Sequence, residues 1–255
     1  MIAAGTIDPY VTDGVERAHS LSLKLTAADS LGERIGLIAP AIGGRIAFST
    51  SLGIEDQAIL HAIAESGAAI DIFTLDTGRL FPETIETLAE SESKYGLKVR
   101  VLSPEAPDVE ALVACDGVMG FRRSIEARKA CCNVRKVLPL NRALDGASGW
   151  ITGLRREQSA GRADVPFAEW DSDHRLIKIN PIADWPLERL EAYVASNQIP
   201  LNPLHAKGFP SIGCQPCTRA ILPGEDLRSG RWWWENDFGR ECGLHNRPRL
   251  EGAAR

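Results

Sequence analysis

No run of apolar residues in this chain is long enough to span a bilayer, and Met1-Ile-Ala-Ala-Gly-Thr-Ile-Asp8 lacks the basic stretch and apolar core of an export signal. Neither a membrane protein nor a secreted one is expected. Surplus positive charge is also missing, since 29 Lys and Arg against 34 Asp and Glu leave a formal net charge of -5. That balance opposes broad electrostatic capture of nucleic acid, which needs a basic face. No internal repeat and no low-complexity tract occurs, and no G-x-x-x-x-G-K-[ST] pattern marks a Walker-type phosphate loop. What remains is a 255-residue chain, 44% hydrophobic and 25% charged, which suits one large domain over residues 1–245. A short polar tail, residues 246–255, is expected to be mobile.

Six cysteines stand out in this setting. Cys131 and Cys132 are adjacent, Cys214 and Cys217 form a C-x-x-C, Cys242 lies in Glu241-Cys-Gly-Leu-His245, and Cys115 sits in the apolar run Ala111-Leu-Val-Ala-Cys115. Adjacent cysteines bond to each other only with strain, and a disulfide framework belongs to short exported chains. A reducing cytoplasm is the expected compartment, where cysteines in such patterns bind metal or do chemistry. Two close pairs from distant parts of a chain can converge on one iron-sulfur cluster or one zinc ion, because both accept four sulfur ligands. Cys242 is then left over as a candidate nucleophile, and Cys115 is expected to be a buried small hydrophobe.

The apolar pattern alternates between strands and helices. Strands are predicted over 45–49, 69–75, 99–102, 150–153 and 176–179. Helices are predicted from near Glu55, from Pro82 through Tyr95, and after Asp184-Trp-Pro-Leu187, read as a cap. Such alternation means an α/β fold with a doubly wound, mostly parallel sheet, whose ligands bind beyond the carboxyl ends of the strands. The segments Ser49 to Asp56, Asp76 to Phe81 and Gly153 to Arg162 each follow a strand and are expected to line one cleft. In the first, hydroxyls, Gly53 and the free N–H groups of a helix start can hold a phosphate or sulfate, although an ordinary capped helix looks the same. Asp76-Thr-Gly78 reads as a turn in the position of a nucleotide contact. Arg155, Arg156, Arg162, Arg228 and Arg231 are either solvated or anion-binding, the guanidinium fork being matched to phosphate oxygens. Trp232-Trp-Trp234 is read as packing, and His245 as structural or solvated.

In order along the chain, Ser49-Thr-Ser-Leu-Gly-Ile-Glu-Asp56, Leu75-Asp-Thr-Gly-Arg-Leu-Phe-Pro-Glu83, Cys131-Cys-Asn-Val-Arg-Lys136, Trp150-Ile-Thr-Gly-Leu-Arg-Arg156 with Arg162, Ile212-Gly-Cys214 to Cys217-Thr218, and Glu241-Cys-Gly-Leu-His245 resemble the assimilatory sulfonucleotide reductases, in particular the cysteine-rich adenylyl-sulfate type. The resemblance implies a pyrophosphatase-loop fold, similar to the adenine nucleotide alpha hydrolases, that binds a nucleotide without hydrolysing it. It implies a 4Fe-4S cluster on Cys131, Cys132, Cys214 and Cys217, and attack by the Cys242 thiolate on the sulfate sulfur, with AMP leaving. Lys136, Arg162, Arg228 and Arg231 would balance the charge of phosphate and sulfate, while Ser49, Ser51, Gly53 and Asp76 would line the nucleotide pocket. A separate thioredoxin or glutaredoxin would then release sulfite and resolve the mixed disulfide. The cluster's expected role is structural and electrostatic, because the thiols supply the electrons. Self-association is left open. Rival readings are reduction of 3′-phosphoadenosine 5′-phosphosulfate, an ATP-using adenylyl-transfer or tRNA-thiolation enzyme, and a non-enzymatic metal scaffold.

Overall fold

The computed structural model describes residues 9–235 together with Leu244. Helix α1 (Pro9–Ala27) and helix α2 (Leu31–Ile42) precede the first strand. Neither was anticipated from the sequence, although α2 carries a start signal: the Ser30 hydroxyl accepts from Glu33 N, and the Glu33 carboxylate accepts in return from Asp29 N. Buried Leu31, Ile35, Ile38 and Ile42 recur at helical spacing along α2. Then follow β1 (Ile46–Thr50), α3 (Ile54–Ser66), β2 (Asp71–Leu75), α4 (Pro82–Tyr95), β3 (Arg100–Leu102) and α5 (Ala106–Asp116). Helix α6 (Ile125–Cys132) runs through a π turn, Asn133–Val137, into α7 (Leu138–Leu144). The chain continues with β4 (Gly149–Ile151), β5 (Ala168–Asp171), β6 (Leu176–Ile179) and α8 (Leu187–Ser196).

The strands form one sheet in the order β3-β2-β1-β4-β6-β5. All pairings are parallel except that of β5 with β6. One face is covered by a cluster that includes Leu21, Leu25, Ile35, Ile38, Ile59, Ile63 and Trp185, and the other by Leu140, Ala143 and Leu144 of α7 over Ala47, Phe73 and Trp150. Both faces are therefore dry, which is why β1 and β4 read as unbroken apolar runs. The strand order reverses between β1 and β4, so a crevice opens there beyond their carboxyl ends. Among the described residues no helix is long and apolar enough to cross a membrane.

Two sequence expectations about the fold need correction, and one strand was not anticipated. Cys115 is exposed, because α5 buries none of its residues. Asp184 does not cap α8, whose preceding residue is Pro186 with no side-chain cap bond. Asp184 instead takes two hydrogen bonds, at 2.6 and 2.9 Å, from Arg34 of α2. Strand β5, unanticipated, is a half-buried antiparallel edge turned by Asp171-Ser-Asp-His174. The tail expected over 246–255, with Glu241, Cys242 and His245, lies outside the described residues.

Arg34 is 3% exposed, also donates to Pro181 O at 2.8 Å, and lies over the Phe167 ring. It ties the N-terminal helices to the far end of the sheet. Arg34→Ala leaves Asp184 without its cation in a partly buried place, so the expected loss is about 2–3 kcal/mol of unfolding free energy. Urea denaturation measures it, and a loss below about 0.5 kcal/mol, as at an ordinary surface position, would contradict this role.

Candidate active site

At the β1/β4 crevice the described residues enclose a cavity of about 420 Å³. That lies within the roughly 300–1,000 Å³ typical of small-molecule sites. Ser49, Thr50, Ser51, Gly53 and Asp56 come from the β1–α3 segment, Thr77 and Leu80 from the β2–α4 turn, and Gly153, Arg155, Gln158 and Arg162 from the segment after β4. Lys136, Cys214, Arg228, Arg231 and Leu244 complete much of the wall. Of the residues singled out for substrate, Ser49, Ser51, Gly53, Lys136, Arg162, Arg228 and Arg231 meet here, and Asp76 does not. Asp76 instead accepts from Gly78 N at 2.8 Å and shapes its own turn. Arg156 also turns elsewhere, donating to Val165 O and lying over Phe167.

The two loop serines are held differently. Trp150, 1% exposed, donates its indole N–H to Ser49 Oγ at 2.8 Å. Ser51 N and Ser51 Oγ both donate to Asp56 Oδ2, each at 2.6 Å. Gly153 is required opposite Asp56, since a Cβ there would collide with Asp56 Oδ1. Arg155, 2% exposed, is matched by Glu55 at 3.0 Å and fixed by donation to Trp185 O. Arg162 donates to Gln158 Oε1, and Arg231 lies over Trp232 while reaching Ser211 and Ile212 O. Gly213 lets Arg231 pass, because any side chain would strike its guanidinium.

The cysteines adjoin this cavity. Cys214 and Cys217 pack with Phe121 and Trp232, and Cys131 and Trp234 lie against the same group. Cys132 is buried at the end of α6 and is close enough to Cys217 to raise its pKa. The four thiols thus occupy one region beside Lys136. No three His, Cys, Asp or Glu side chains among the described residues sit in an arrangement that could hold a metal ion. A four-iron cluster is a larger body that spreads its four thiolates over the corners of a cube, and a set of four sulfurs in an apolar wall suits its chemistry. Burial pushes Cys217 up to about 12, reinforced by Cys214. Burial likewise raises Cys131. Burial would raise Cys214 too, but Lys136, the Thr77 hydroxyl at 3.2 Å, Arg231 and Arg79 outweigh it and lower the thiol.

Several residues that matter were missed in the sequence. Arg135, 7% exposed, donates to Thr77 O at 2.7 Å, and Gln215 N donates to Arg79 O at 2.8 Å. One turn after β2 is thereby stitched to both cysteine segments. The π turn that carries Arg135 and Lys136 has no local signal in the sequence, and such widened turns recur at functional sites. Trp150, Asp56, Glu55 and Arg155 lie within the quoted motifs, but only contact with their partners reveals what they do.

Burial raises the Asp56 pKa from 3.8 to about 6, against the lowering effect of the Ser51 bonds and with a small increase from Glu55. The folded protein holds this proton more tightly than the unfolded chain. Its contribution to stability is thus present at acid pH and lost as pH rises through the window from 3.8 to about 6. Asp56→Asn has no proton to lose, so it is expected to gain stability relative to the wild type across that window. Parallel urea titrations at several pH values check this; a constant difference between the two proteins would contradict the shift.

A family model described as the phosphoadenosine phosphosulfate reductase domain matches residues 45–220. Among curated proteins the chain is 56% identical over 229 residues to the adenosine 5′-phosphosulfate reductase of Agrobacterium fabrum, covering 89% of this chain and 88% of that one. It is 51% identical over 202 residues to the protein of the same name from Allochromatium vinosum, with 79% of each covered. Among solved structures, a phosphoadenylyl-sulfate reductase from Candida auris superposes with a TM-score of 0.68 at 22% identity, covering 85% of this chain and 98% of that one. An FMN adenylyltransferase from Candida glabrata reaches 0.50 at 15% identity, over 88% and 82%. These two likenesses concern the fold alone, an α/β sheet of the pyrophosphatase-loop type. By the family model over most of its length and by its curated relatives, the chain belongs to the phosphoadenosine phosphosulfate reductase family.

Proposed function

We propose that this chain reduces adenosine 5′-phosphosulfate to sulfite and AMP. One cavity carries the reading: the hydroxyl-bearing loop after β1, the cations Lys136, Arg162, Arg228 and Arg231, and Cys214 of the C-x-x-C all line it. A sulfonucleotide needs what these groups offer, namely an anion-binding wall for phosphate and sulfate beside a shaped niche for the nucleoside. The relatives at 51% and 56% identity carry this activity in their names.

In the proposed chemistry the Cys242 thiolate attacks the sulfate sulfur, forming an S–S bond as the bond from sulfur to the AMP phosphate oxygen breaks. Lys136 and the arginines hold the phosphate and sulfate oxygens and balance the charge on the departing AMP. The product on the enzyme is S-sulfocysteine. A thiolate of a reduced dithiol protein, thioredoxin or glutaredoxin, attacks Cys242 Sγ and expels sulfite; its second thiol then displaces Cys242 from the mixed disulfide. Sulfur goes from the sulfate to the sulfite level, and the dithiol gives up the two electrons. The pathway served would be sulfate assimilation toward cysteine, in the reducing cytoplasm.

Cys131, Cys132, Cys214 and Cys217 would hold a 4Fe-4S cluster. When bound, it would supply a negatively charged body beside Lys136 and join chain segments distant in sequence. Asp76 acts on this reading only through the shape of its turn. The nearest alternative substrate is the 3′-phosphorylated nucleotide, named in the family model's description.

Anaerobic assays with either nucleotide and reduced thioredoxin, measuring sulfite and AMP together, test the reading. Wild-type protein is expected to release both from adenosine 5′-phosphosulfate, and Cys242→Ser to release sulfite at least about a thousandfold more slowly, the scale of losing a covalent nucleophile. Continued catalytic sulfite release by Cys242→Ser would contradict the mechanism. Turnover confined to the 3′-phosphorylated nucleotide would contradict the substrate.

A further inference from the structure

The hydrogen bonds around the two loop serines carry a statement about polarity that rests on the proposed sulfonucleotide site. A serine hydroxyl has one hydrogen to give and two lone pairs to receive, and an indole N–H can only give. The contact between Trp150 Nε1 and Ser49 Oγ, 2.8 Å, therefore has one possible direction. Ser49 is the acceptor, and its hydroxyl hydrogen is not committed by that bond. At Ser51 the direction is opposite. Its Oγ lies 2.6 Å from Asp56 Oδ2, which also takes the Ser51 backbone N–H at 2.6 Å, so the hydroxyl hydrogen is spent on the carboxylate. Ser49 and Ser51 both line the cavity.

We infer that Trp150 is a positioning residue that fixes Ser49 as a hydrogen-bond donor toward an acceptor atom of the bound nucleotide, while Asp56 fixes Ser51 as an acceptor. Trp150 is well placed to hold such a direction. Its ring is buried, with Lys178 Nζ 5.1 Å from the centroid and His174 packed edge-on at 5.6 Å. The indole cannot swing away without displacing β4, on which it sits, or the packing of Leu140 and Leu144. With Trp150 absent, the Ser49 hydroxyl can rotate, and the energy of orienting it is taken from ligand binding.

A double-mutant cycle on AMP binding, followed by calorimetry, tests this. Trp150→Phe keeps a ring and removes the N–H; it is expected to weaken AMP binding about two- to tenfold, the scale of one hydrogen bond. Ser49→Ala is expected to lose a similar amount, and the double variant no more than Ser49→Ala alone. With Ser49→Thr, which keeps the hydroxyl, the Trp150→Phe effect should persist. Losses that multiply in the double variant, or wild-type affinity in Trp150→Phe, would overturn the inference. Should Trp150→Phe melt well below the wild type, site-specific replacement of Trp150 by 3-benzothienylalanine, of the same shape without the N–H, answers the same question. Wild-type turnover of adenosine 5′-phosphosulfate is measured alongside. Without turnover the functional reading falls while the AMP cycle still decides the polarity; with turnover but a multiplying cycle, only the polarity claim falls.

Discussion

The turn after β2 is the constraint on which the rest of the site depends. Thr77 meets Cys214 through its hydroxyl and Arg135 through its carbonyl, and Arg79 O receives Gln215 N. Two cysteine segments more than eighty positions apart are thus tied to one short piece of backbone at the end of a central strand. Arg79 also lies over Phe121 and donates to Val118 O, so the apolar wall of the cysteine region is fastened to the same turn. The cysteine region and the cavity are in consequence joined through one turn. Any group bound by the four thiols would sit beside Lys136 and Arg231.

The sheet order explains why this unit has a cavity at all. The strand order reverses between β1 and β4, and the segments that follow these two strands line the crevice beyond their carboxyl ends. Helix α3 starts there at Ile54, adding the positive end of its dipole to the cations of the wall. Arg155 is buried and ion-paired to the half-buried Glu55 at 3.0 Å. It builds the wall that Lys136, Arg162, Arg228 and Arg231 also line. Polar direction within the loop is then refined by two buried residues at the cavity wall, through the Trp150 indole and the Asp56 carboxylate.

Much of this was legible in the sequence, for identifiable reasons. The parallel strands are largely apolar and are flanked by turn residues, so the doubly wound sheet and a crevice beyond the strand ends followed from pattern, whereas the order of the strands came from the structure. The cysteine pairs were visible because an adjacent pair and a C-x-x-C stand out among only six cysteines. What escaped was set by contacts between distant residues. Strand β5 is half-buried and antiparallel, so its alternation is weak, and α1 and α2 join the core by packing Leu21, Leu25, Ile35 and Ile38 against residues distant in sequence. Cys115 looked buried because its neighbours are apolar, yet α5 packs too loosely to cover it. Asp76 was read as a ligand contact from its position after a strand; what residue order did not reveal is that its carboxylate accepts from Gly78 N within its own turn. Neither the π turn nor the direction of the Trp150 bond leaves a trace in residue order.

The central claim is that the four cysteines and the cationic cavity form one site built around an iron-sulfur cluster. Iron and acid-labile sulfide analysis of anaerobically purified protein, paired with Mössbauer spectroscopy, tests it most directly. The account expects about four iron and four sulfide per chain in a single four-iron cluster with complete thiolate ligation. Stoichiometric zinc in place of iron, or a full iron content that survives replacement of both Cys214 and Cys217 by serine, would contradict it.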